Sequence, residues 1–180
     1  METAIFYPGA KNDTVQRVMY IERPCVAGKW VYLTVKRTLD TCFALIGLIV
    51  FTLPMSVIAL IIALDSPGDP IFKQERLGKD GKPFIMYKFR SMCEDAERDG
   101  PRWADADDVR CTRFGAFLRR TRLDELPQIW NILKGDMSFV GPRPERACFY
   151  RMFEEYIVGF SSRLAVTPGL TGYAQVNGGY

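Results

Sequence analysis

Histidine is absent from the 180 residues of this chain. Because histidine is the side chain most often used as a general acid or base, any acid–base chemistry here must rest on other groups. The sequence also lacks two glycine-rich loops that commonly cradle phosphates, Gly-x-Gly-x-x-Gly and Gly-x-x-x-x-Gly-Lys-Ser/Thr, and the Gly-x-Ser-x-Gly elbow of serine hydrolases. Any bound nucleotide must therefore be held without those loops.

The chain also has few cysteines and a small net charge. The five cysteines are widely spaced and contain no Cys-x-x-Cys pair, which argues against a zinc site and fits free thiols in a reducing cytosol. The formal net charge is only +3, with acidic and basic residues interspersed, so no nucleic-acid partner is predicted. With 48% hydrophobic residues, the chain can bury the core of one domain, or of one domain with an appendage.

A run of 24 residues, 41–64, carries no charge and is a candidate membrane segment. A straight helix of this length would cross a bilayer core, whereas a break at Pro54 would leave two arms that are each too short to do so. Both flanks are basic, with Lys36 and Arg37 before the run and Lys73 after it, so charge marks neither side as the outside. A spanning helix with a tolerated proline and a re-entrant helix with both ends in the cytosol are both consistent with these residues.

The rest of the chain predicts short, mixed elements around this segment. We divide it into an extension of residues 1–28, a membrane helix of residues 29–66 and a catalytic domain of residues 67–180. The domain is expected to contain a β-hairpin (71–76 and 83–89, joined at 78–81), helices at 112–120, 124–134 and 146–160, and a loop-like end. The extension is expected to be mostly irregular.

Two adjacent carboxylates, Asp124 and Glu125, carry the clearest chemical signal. They are predicted to lie at the N-cap and first turn of a helix, where unpaired N–H groups favour negative charge. Arg119 precedes them and Arg143 follows, and arginines can clamp phosphoryl oxygens. This pattern suggests chemistry on a phosphate, with a carboxylate acting as nucleophile or as Mg²⁺ ligand. The alternative is a pair of ordinary capping acids on a solvated face with surface salt bridges.

Motifs along most of the chain, from about residue 30 onward, resemble those of the bacterial sugar transferases, the monotopic phosphoglycosyl transferases. The matching segments are Lys36-Arg37-x-x-Asp40, the membrane-segment proline, Phe72-x-Gln74-x-Arg76-x-Gly78, Tyr87-Lys88-Phe89-Arg90-Ser91-Met92, Phe117-Leu118-Arg119, Leu123-Asp124-Glu125-Leu126-Pro127-Gln128-x-x-Asn131-x-x-Lys134-Gly135-Asp136-Met137-Ser138, Val140-Gly141-Pro142-Arg143-Pro144 and Pro168-Gly169-x-Thr171-Gly172-x-Ala174-Gln175-Val176-Asn177-Gly178.

The resemblance implies an enzyme that moves a sugar 1-phosphate from a UDP-sugar to undecaprenyl phosphate and releases UMP. It implies an α/β (α+β), mostly helical fold at the cytoplasmic face of the inner (plasma) membrane, in contact with membrane lipid, with a homodimer as one allowed assembly. The family's membrane helix is re-entrant and breaks at the proline, which favours the re-entrant alternative for Pro54. Lys36 and Arg37 are then expected to belong to the membrane anchor.

The resemblance also assigns roles to individual residues. Asp124 would be the nucleophile that forms a covalent phosphosugar intermediate, and Glu125 would assist, with both carboxylates as Mg²⁺ ligands. The residues expected to bind substrate or its phosphates are Lys88, Arg90, Arg119, Arg143 and Gln175. A direct ternary mechanism, in which the two carboxylates act only as metal ligands, is the alternative within the same enzyme class.

The chain departs from the family pattern after residue 178. Family members usually continue into further helices and place a basic residue where this chain has Gly179. These departures allow a second expectation, in which the protein is a truncated, inactive membrane-bound scaffold for glycan-assembly enzymes.

Overall fold

The computed structural model describes residues 19–93, 95–96, 98, 100 and 108–177. It shows a mixed fold of helices and small sheets, as the sequence predicts. The elements in chain order are β1 (Met19–Tyr20), α1 (Trp30–Asp65), β2 (Ile71–Leu77), β3 (Pro83–Phe89), α2 (Arg113–Thr121), α3 (Gln128–Lys134), β4 (Ser138–Val140), α4 (Ala147–Glu154), β5 (Ile157–Val158), β6 (Gly169–Thr171) and α5 (Tyr173–Asn177), with 3-10 turns at Lys79–Gly81, Leu123–Glu125 and Phe160–Ala165.

Helix α1 is long and apolar enough to cross a membrane, and within the described part of the chain it alone has this property. Only 11% of its most apolar 18-residue window is buried in the protein, so it is not the core helix of a water-soluble domain. Large apolar side chains such as Ile49 and Leu64, each 79% exposed, require an apolar environment outside the protein. The predicted membrane segment is therefore present as one long apolar helix.

Helix α1 is continuous through Pro54, so the predicted break there is not confirmed. Hydroxyl groups next to a proline in a membrane helix can satisfy the backbone groups that the proline frees. The Thr52 hydroxyl instead donates to the carbonyl of Leu48, and the Ser56 hydroxyl donates to the carbonyl of Thr52 at 2.9 Å. These contacts follow the usual one-turn spacing of serine and threonine in helices.

One stripe of α1 packs against the remaining fold along nearly the whole length of the helix. In the first half of α1, Ala44 joins a buried cluster with Ile129 and Ile132 of α3. Near its end, Ile58 and Ile62 join a second cluster, whose other buried members are Phe89 and Leu118. The core is therefore built onto the side of α1 and does not lie beyond one end of it.

The β2–β3 hairpin confirms the prediction made from the Gly78–Gly81 turn. The strands pair antiparallel with Ile71 opposite Phe89, and the turn between them places Asp80 and Gly81 at φ values of 57° and 73°. Aspartate and glycine are among the residues that adopt positive φ most readily, which is why an Asp-Gly pair is typical of hairpins. The hairpin places Lys88 near the end of β3.

Helix α3 is held against β3 by a side chain to which we assigned no role from the sequence. The fully buried Asn131 accepts a hydrogen bond from Tyr87 N at 3.1 Å and donates one to Ile85 O at 2.7 Å. The amide thus pairs with the strand backbone as a neighbouring strand would, which satisfies polar groups that burial would otherwise leave unpaired. This contact fixes the helix that follows the two candidate carboxylates.

Several predicted boundaries are wrong. The helix expected at 124–134 begins at Gln128, and the helix expected at 146–160 covers only Ala147–Glu154. The predicted loop-like end instead contains α5 and β6, and β6 pairs parallel with β4. Strand β1, in the extension predicted to be irregular, pairs parallel with β5, while residues 1–18 lie outside the described residues. These pairings join distant segments, and local patterns do not report them.

Candidate active site

The two carboxylates lie on a tight turn between α2 and α3 and not in the first turn of an α-helix. Helix α2 ends at Thr121, its C-cap Arg122 adopts a left-handed conformation with φ 60°, and a 3-10 turn over Leu123–Glu125 follows. Such a conformation costs a residue other than glycine about 1 kcal/mol and reverses the chain direction sharply. The turn buries Asp124 and Glu125 to 7% and 8% exposure, so they are not capping acids on a solvated face.

Glu125 binds two cationic side chains that come from separate parts of the chain. Lys88 Nζ donates to Glu125 Oε1 at 3.0 Å, and an Arg143 Nη atom donates to the same oxygen at 3.2 Å. Lys88 comes from β3, and Arg143 comes from the segment after β4. The structure therefore brings together three of the residues that the sequence analysis assigned to the site.

The buried charges shift one another's pKa values. Burial would raise the pKa of Glu125, but Lys88 and Arg143 outweigh burial and hold it below its ordinary value. Burial lowers the pKa of Lys88, and Arg143 adds to this effect, while Glu125 and Asp124 oppose it. Glu125 is thus held as a carboxylate between two cations.

Asp124 is the less satisfied of the two acids. Burial and the neighbouring Glu125 raise its pKa, against the opposing charges of Lys88, Arg119 and Arg122. Its Oδ1 atom is buried and has no hydrogen-bond partner among the described residues. A desolvated carboxylate with an unpaired oxygen is more basic and more nucleophilic than one held in ion pairs.

Gln128 is a site candidate to which the sequence analysis gave no role. Its side chain is 2% exposed, and its amide nitrogen has no hydrogen-bond partner in the described structure. It follows Asp124 by four residues, so an unpaired donor and an unpaired acceptor lie on adjoining turns. Its position in the segment Leu123-Asp124-Glu125-Leu126-Pro127-Gln128, directly after the two acids, was the signal that could have identified it.

Other predicted site residues lie in different surroundings. Arg119 donates to Cys111 Sγ at 3.1 Å and acts on Asp124 through its charge. Arg90 binds the carbonyl and hydroxyl oxygens of Ser66, at the end of α1. Gln175 on α5 donates to Leu170 O at 3.2 Å, while its Oε1 is buried without a partner among the described residues.

The predicted anchor residues Lys36 and Arg37 fasten α1 to the rest of the fold. Lys36 contacts both Asp40 and the hydroxyl of Ser138 at the start of β4. Arg37 donates to the carbonyls of Ile132 and Leu133 at 2.6 and 2.7 Å, which caps the last turn of α3. The Lys-Arg-x-x-Asp motif is therefore a docking motif within the protein.

A basic network extends from Arg143 to its neighbours. Arg163 donates to the Arg143 carbonyl at 2.9 Å, and Arg76 pairs with Glu145 at 2.7 Å. Burial lowers the pKa of Arg76, and so does the nearby charge of Arg143, against the opposing effect of Glu145. Positive charge is thus concentrated next to Glu125, where a polyanionic substrate would be stabilised.

Gly141 permits the close crossing that places Arg143. A Cβ atom at Gly169 would overlap the backbone of Gly141, and one at Gly172 would overlap the Gly141 carbonyl. These contacts join β4 to β6 and fix the start of the segment that carries Arg143. The sequence shows these three glycines, but it does not show that they contact one another.

The chain is similar to known proteins along most of its length. A family model described as "Bacterial sugar transferase" matches residues 31–180. A Bacillus subtilis (strain 168) relative, 55% identical over 133 residues, is named provisionally as an undecaprenyl-phosphate N-acetylgalactosaminyl 1-phosphate transferase. The match covers 74% of this chain and 74% of that relative.

Two longer relatives carry related names. One is a UDP-N-acetylgalactosamine-undecaprenyl-phosphate N-acetylgalactosaminephosphotransferase of Aeromonas hydrophila, 45% identical over 83% of this chain. The other is a UDP-glucose:undecaprenyl-phosphate glucose-1-phosphate transferase of Escherichia coli (strain K12), 45% identical over 79% of this chain. The matched segment spans 36% and 31% of their respective lengths.

Proposed function

Because the chain belongs to the bacterial sugar transferase family, we propose that it transfers a sugar 1-phosphate from a UDP-sugar to undecaprenyl phosphate and releases UMP. The observation that carries the proposal is the asymmetry of the two buried acids. Glu125 is paired with Lys88 and Arg143, while Asp124 keeps a buried oxygen without a partner. One acid is therefore fixed by cations and the other is available to react.

The first step is attack by an Asp124 carboxylate oxygen on the phosphorus that bears the sugar. An acyl phosphate bond forms, and the bond from that phosphorus to the bridging oxygen breaks, so that UMP leaves with the bonding electrons. Lys88 and Arg143 lie beside Glu125 and can stabilise the negative charge that develops on the phosphoryl oxygens. Gln128 can donate its unpaired N–H to the same group.

The second step returns Asp124 to its starting state. A phosphate oxygen of undecaprenyl phosphate attacks the same phosphorus, the aspartyl oxygen–phosphorus bond breaks, and the product is a lipid-linked diphosphosugar. The phosphosugar is thus passed on without loss of its phosphate. Splitting the reaction in two means that the water-soluble donor and the lipid acceptor need not be bound together.

Mg²⁺ fits the donor set of this site. The described residues contain no cluster of three potential metal-ligating acids or thiols, but Mg²⁺ commonly binds one or two carboxylates and completes its shell with substrate phosphates and water. Asp124 Oδ1 is unpaired, and both cations reach the same oxygen of Glu125, Oε1. When bound, the ion would neutralise charge on the diphosphate.

The nucleotide product tests the reaction class. We expect the purified chain, given a UDP-sugar and undecaprenyl phosphate in detergent, to release UMP because the bond broken lies between the two phosphorus atoms. UDP-N-acetylgalactosamine and UDP-glucose are the first donors to compare, since the relatives carry these names. Chromatography of the nucleotides gives the measurement, and UDP as the main product would contradict the proposal.

For the membrane arrangement, we propose that both ends of α1 face the cytoplasm and that α1 enters the inner membrane as a re-entrant element. Contacts at its two ends support this. Lys36 contacts Ser138, and Ser66 contacts Arg90 at 2.7 Å, so the same domain binds both ends. Those ends are about 45 Å apart along the helix, more than the roughly 30 Å of a bilayer core. Because the same domain contacts both ends, an α1 that crossed the bilayer would require that domain to lie on both sides of the membrane. Pro54 is the position where bending costs least.

Cysteine labelling tests this topology. In variants that keep only Cys25 or only Cys148, we expect an impermeant thiol reagent added to intact spheroplasts to label neither residue. Cys25 is exposed and precedes α1, while Cys148 follows it in α4. Both should become labelled after the cells are opened, which serves as the control. Labelling of Cys25 alone in intact spheroplasts would show that α1 crosses the membrane.

A further inference from the structure

An apolar groove runs along α1 on the side that faces β4. It encloses about 860 Å³, a volume within the range of small-molecule sites, and its walls include Leu39, Phe43 and Gly47 of α1 together with Ile129 and Phe139. Leu39 and Phe43 are 51% and 57% exposed. The groove is therefore open to whatever surrounds α1, and an apolar chain would be favoured in it.

A basic pocket adjoins one end of this groove. It encloses about 470 Å³ and is lined by Lys29, Lys36, Arg37 and Lys79, with Asp40 as its one carboxylate among the described residues. The groove and the pocket share lining residues, namely Tyr32, Lys36, Asp40 and Val140. The two cavities are therefore adjacent, with an apolar groove along α1 and a basic pocket beside it.

The fold uses only part of this positive charge. Lys36 is paired with Asp40 at 3.1 Å, and Arg37 caps α3. The side chains of Lys29 and Lys79 have no hydrogen bond or ion pair within the described part of the chain, and both are exposed. They come from the start of α1 and from the hairpin turn, and both line the pocket. Two cations that stabilise nothing in the protein thus converge on the basic pocket beside an apolar groove.

The basic pocket lies away from the proposed reacting centre. Arg37, in the basic pocket, contacts the last turn of α3, whereas Asp124 and Glu125 precede the first turn of that helix. Seven helical residues span about 10 Å, so the part of the basic pocket formed by Arg37 and the two carboxylates lie at opposite ends of α3. An anion held there is not in position to react with Asp124.

We propose that the groove and the basic pocket bind an anionic phospholipid that takes no part in the reaction. Its phosphate-bearing head would lie between Lys29 and Lys79, and one acyl chain would lie along Leu39 and Phe43. Basic pockets beside membrane helices recognise anionic headgroups by charge, and an apolar groove that adjoins the pocket adds the affinity of the chain. This assignment does not depend on the transfer reaction.

Native mass spectrometry of the full chain in detergent, titrated with phosphatidylglycerol, tests the proposal. We expect one lipid to be retained per chain, and we expect Lys29→Gln/Lys79→Gln to weaken binding about 25-fold, since each lysine near a headgroup contributes about five-fold. The matched control is Lys73→Gln/Lys82→Gln, which removes the same charge from exposed residues outside the pocket and should change affinity by about two-fold at most.

Competing ligands complete the test. Phosphatidylcholine and inorganic phosphate are expected to compete poorly, because one lacks net negative charge and the other lacks an acyl chain. Equal weakening by both double substitutions would overturn the proposal, since it would indicate general surface charge. Stoichiometric displacement of phosphatidylglycerol by undecaprenyl phosphate would also overturn the proposal, because it would identify the cavity as the binding site of the lipid acceptor. The measurement requires no turnover, so it remains decisive if the proposed transferase reaction fails.

Discussion

Asp124→Asn is expected to abolish the covalent labelling of the protein by a UDP-sugar that carries a radiolabel in its sugar. The amide is a far poorer nucleophile than the carboxylate, so turnover should also fall by roughly 10³-fold or more. The measurement is radiolabel retained on protein after rapid denaturation without lipid acceptor. In the original chain, UMP should appear in one stoichiometric burst, because the first step needs only the UDP-sugar.

The matched control is Asp69→Asn, which changes an exposed aspartate whose ion pair with Lys73 is 3.7 Å long. It should keep both labelling and turnover. Persistent label in Asp124→Asn would exclude Asp124 as the nucleophile. Absence of any UMP burst in the original chain, with normal turnover once undecaprenyl phosphate is present, would favour the direct ternary mechanism instead.

The same substitution has a second expected result, in stability. The folded protein raises the pKa of Asp124 above its ordinary value of 3.8, so the ionised form is destabilising in the folded state. The Asp124→Asn variant should therefore have a higher melting temperature than the original chain at pH 7. The difference should shrink as pH falls through the folded pKa and vanish below about 3.8, where the acid is protonated in both states. Thermal melts across pH measure this, and a lower melting temperature at pH 7 would contradict it.

Lys88→Met is expected to produce the largest loss of stability. Lys88 and Glu125 have side chains only 17% and 10% exposed, and removing one partner of a buried pair leaves the other charge poorly compensated. We expect about 3 kcal/mol less unfolding free energy at pH 7, at the lower end of such losses because Arg143 still contacts Glu125. Turnover should fall about 100-fold with the loss of a cation beside the phosphates. Denaturant unfolding and steady-state kinetics supply the two measurements.

The dependence of this loss on pH follows from the lowered pKa of Glu125. A carboxyl group whose pKa is lowered on folding stabilises the folded state. This stabilisation is fully present above the ordinary pKa of 4.5 and is lost as the pH falls through the lower pKa of the folded state. The difference between Lys88→Met and the original chain should therefore be largest near neutral pH and shrink in acid. Lys134→Met is the control, because its pair with Asp136 at 2.8 Å is half exposed and should contribute less than about 1 kcal/mol.

A double substitution separates stability from catalysis. Lys88→Met/Glu125→Gln removes both charges and should recover most of the lost unfolding free energy, while turnover stays low. If Lys88→Met were as stable and as active as the original chain, the buried pair would have neither the structural nor the catalytic role assigned to it. If the double substitution restored activity, Lys88 would act only by neutralising Glu125.

Features that depend on neighbouring residues could be predicted from the sequence alone. The 24 uncharged residues of 41–64 predict a long apolar helix whatever the fold, and α1 is such a helix, with most of it outside the protein core. The Asp80-Gly81 pair fixed the hairpin turn because both residues accept positive φ. The acids Asp124 and Glu125 could be identified because two carboxylates among arginines are a local pattern.

The difference between those two acids arises from tertiary contacts. Asp124 and Glu125 are adjacent in sequence, yet Lys88 and Arg143 approach Glu125 from other elements and leave Asp124 Oδ1 unpaired. The burial of Asn131 against β3 and the docking of Lys36 and Arg37 along α1 are likewise contacts between distant segments. Burial and long-range pairing set pKa values and hydrogen-bond partners, and they arise when the chain closes on itself, so no local pattern of residues contains them.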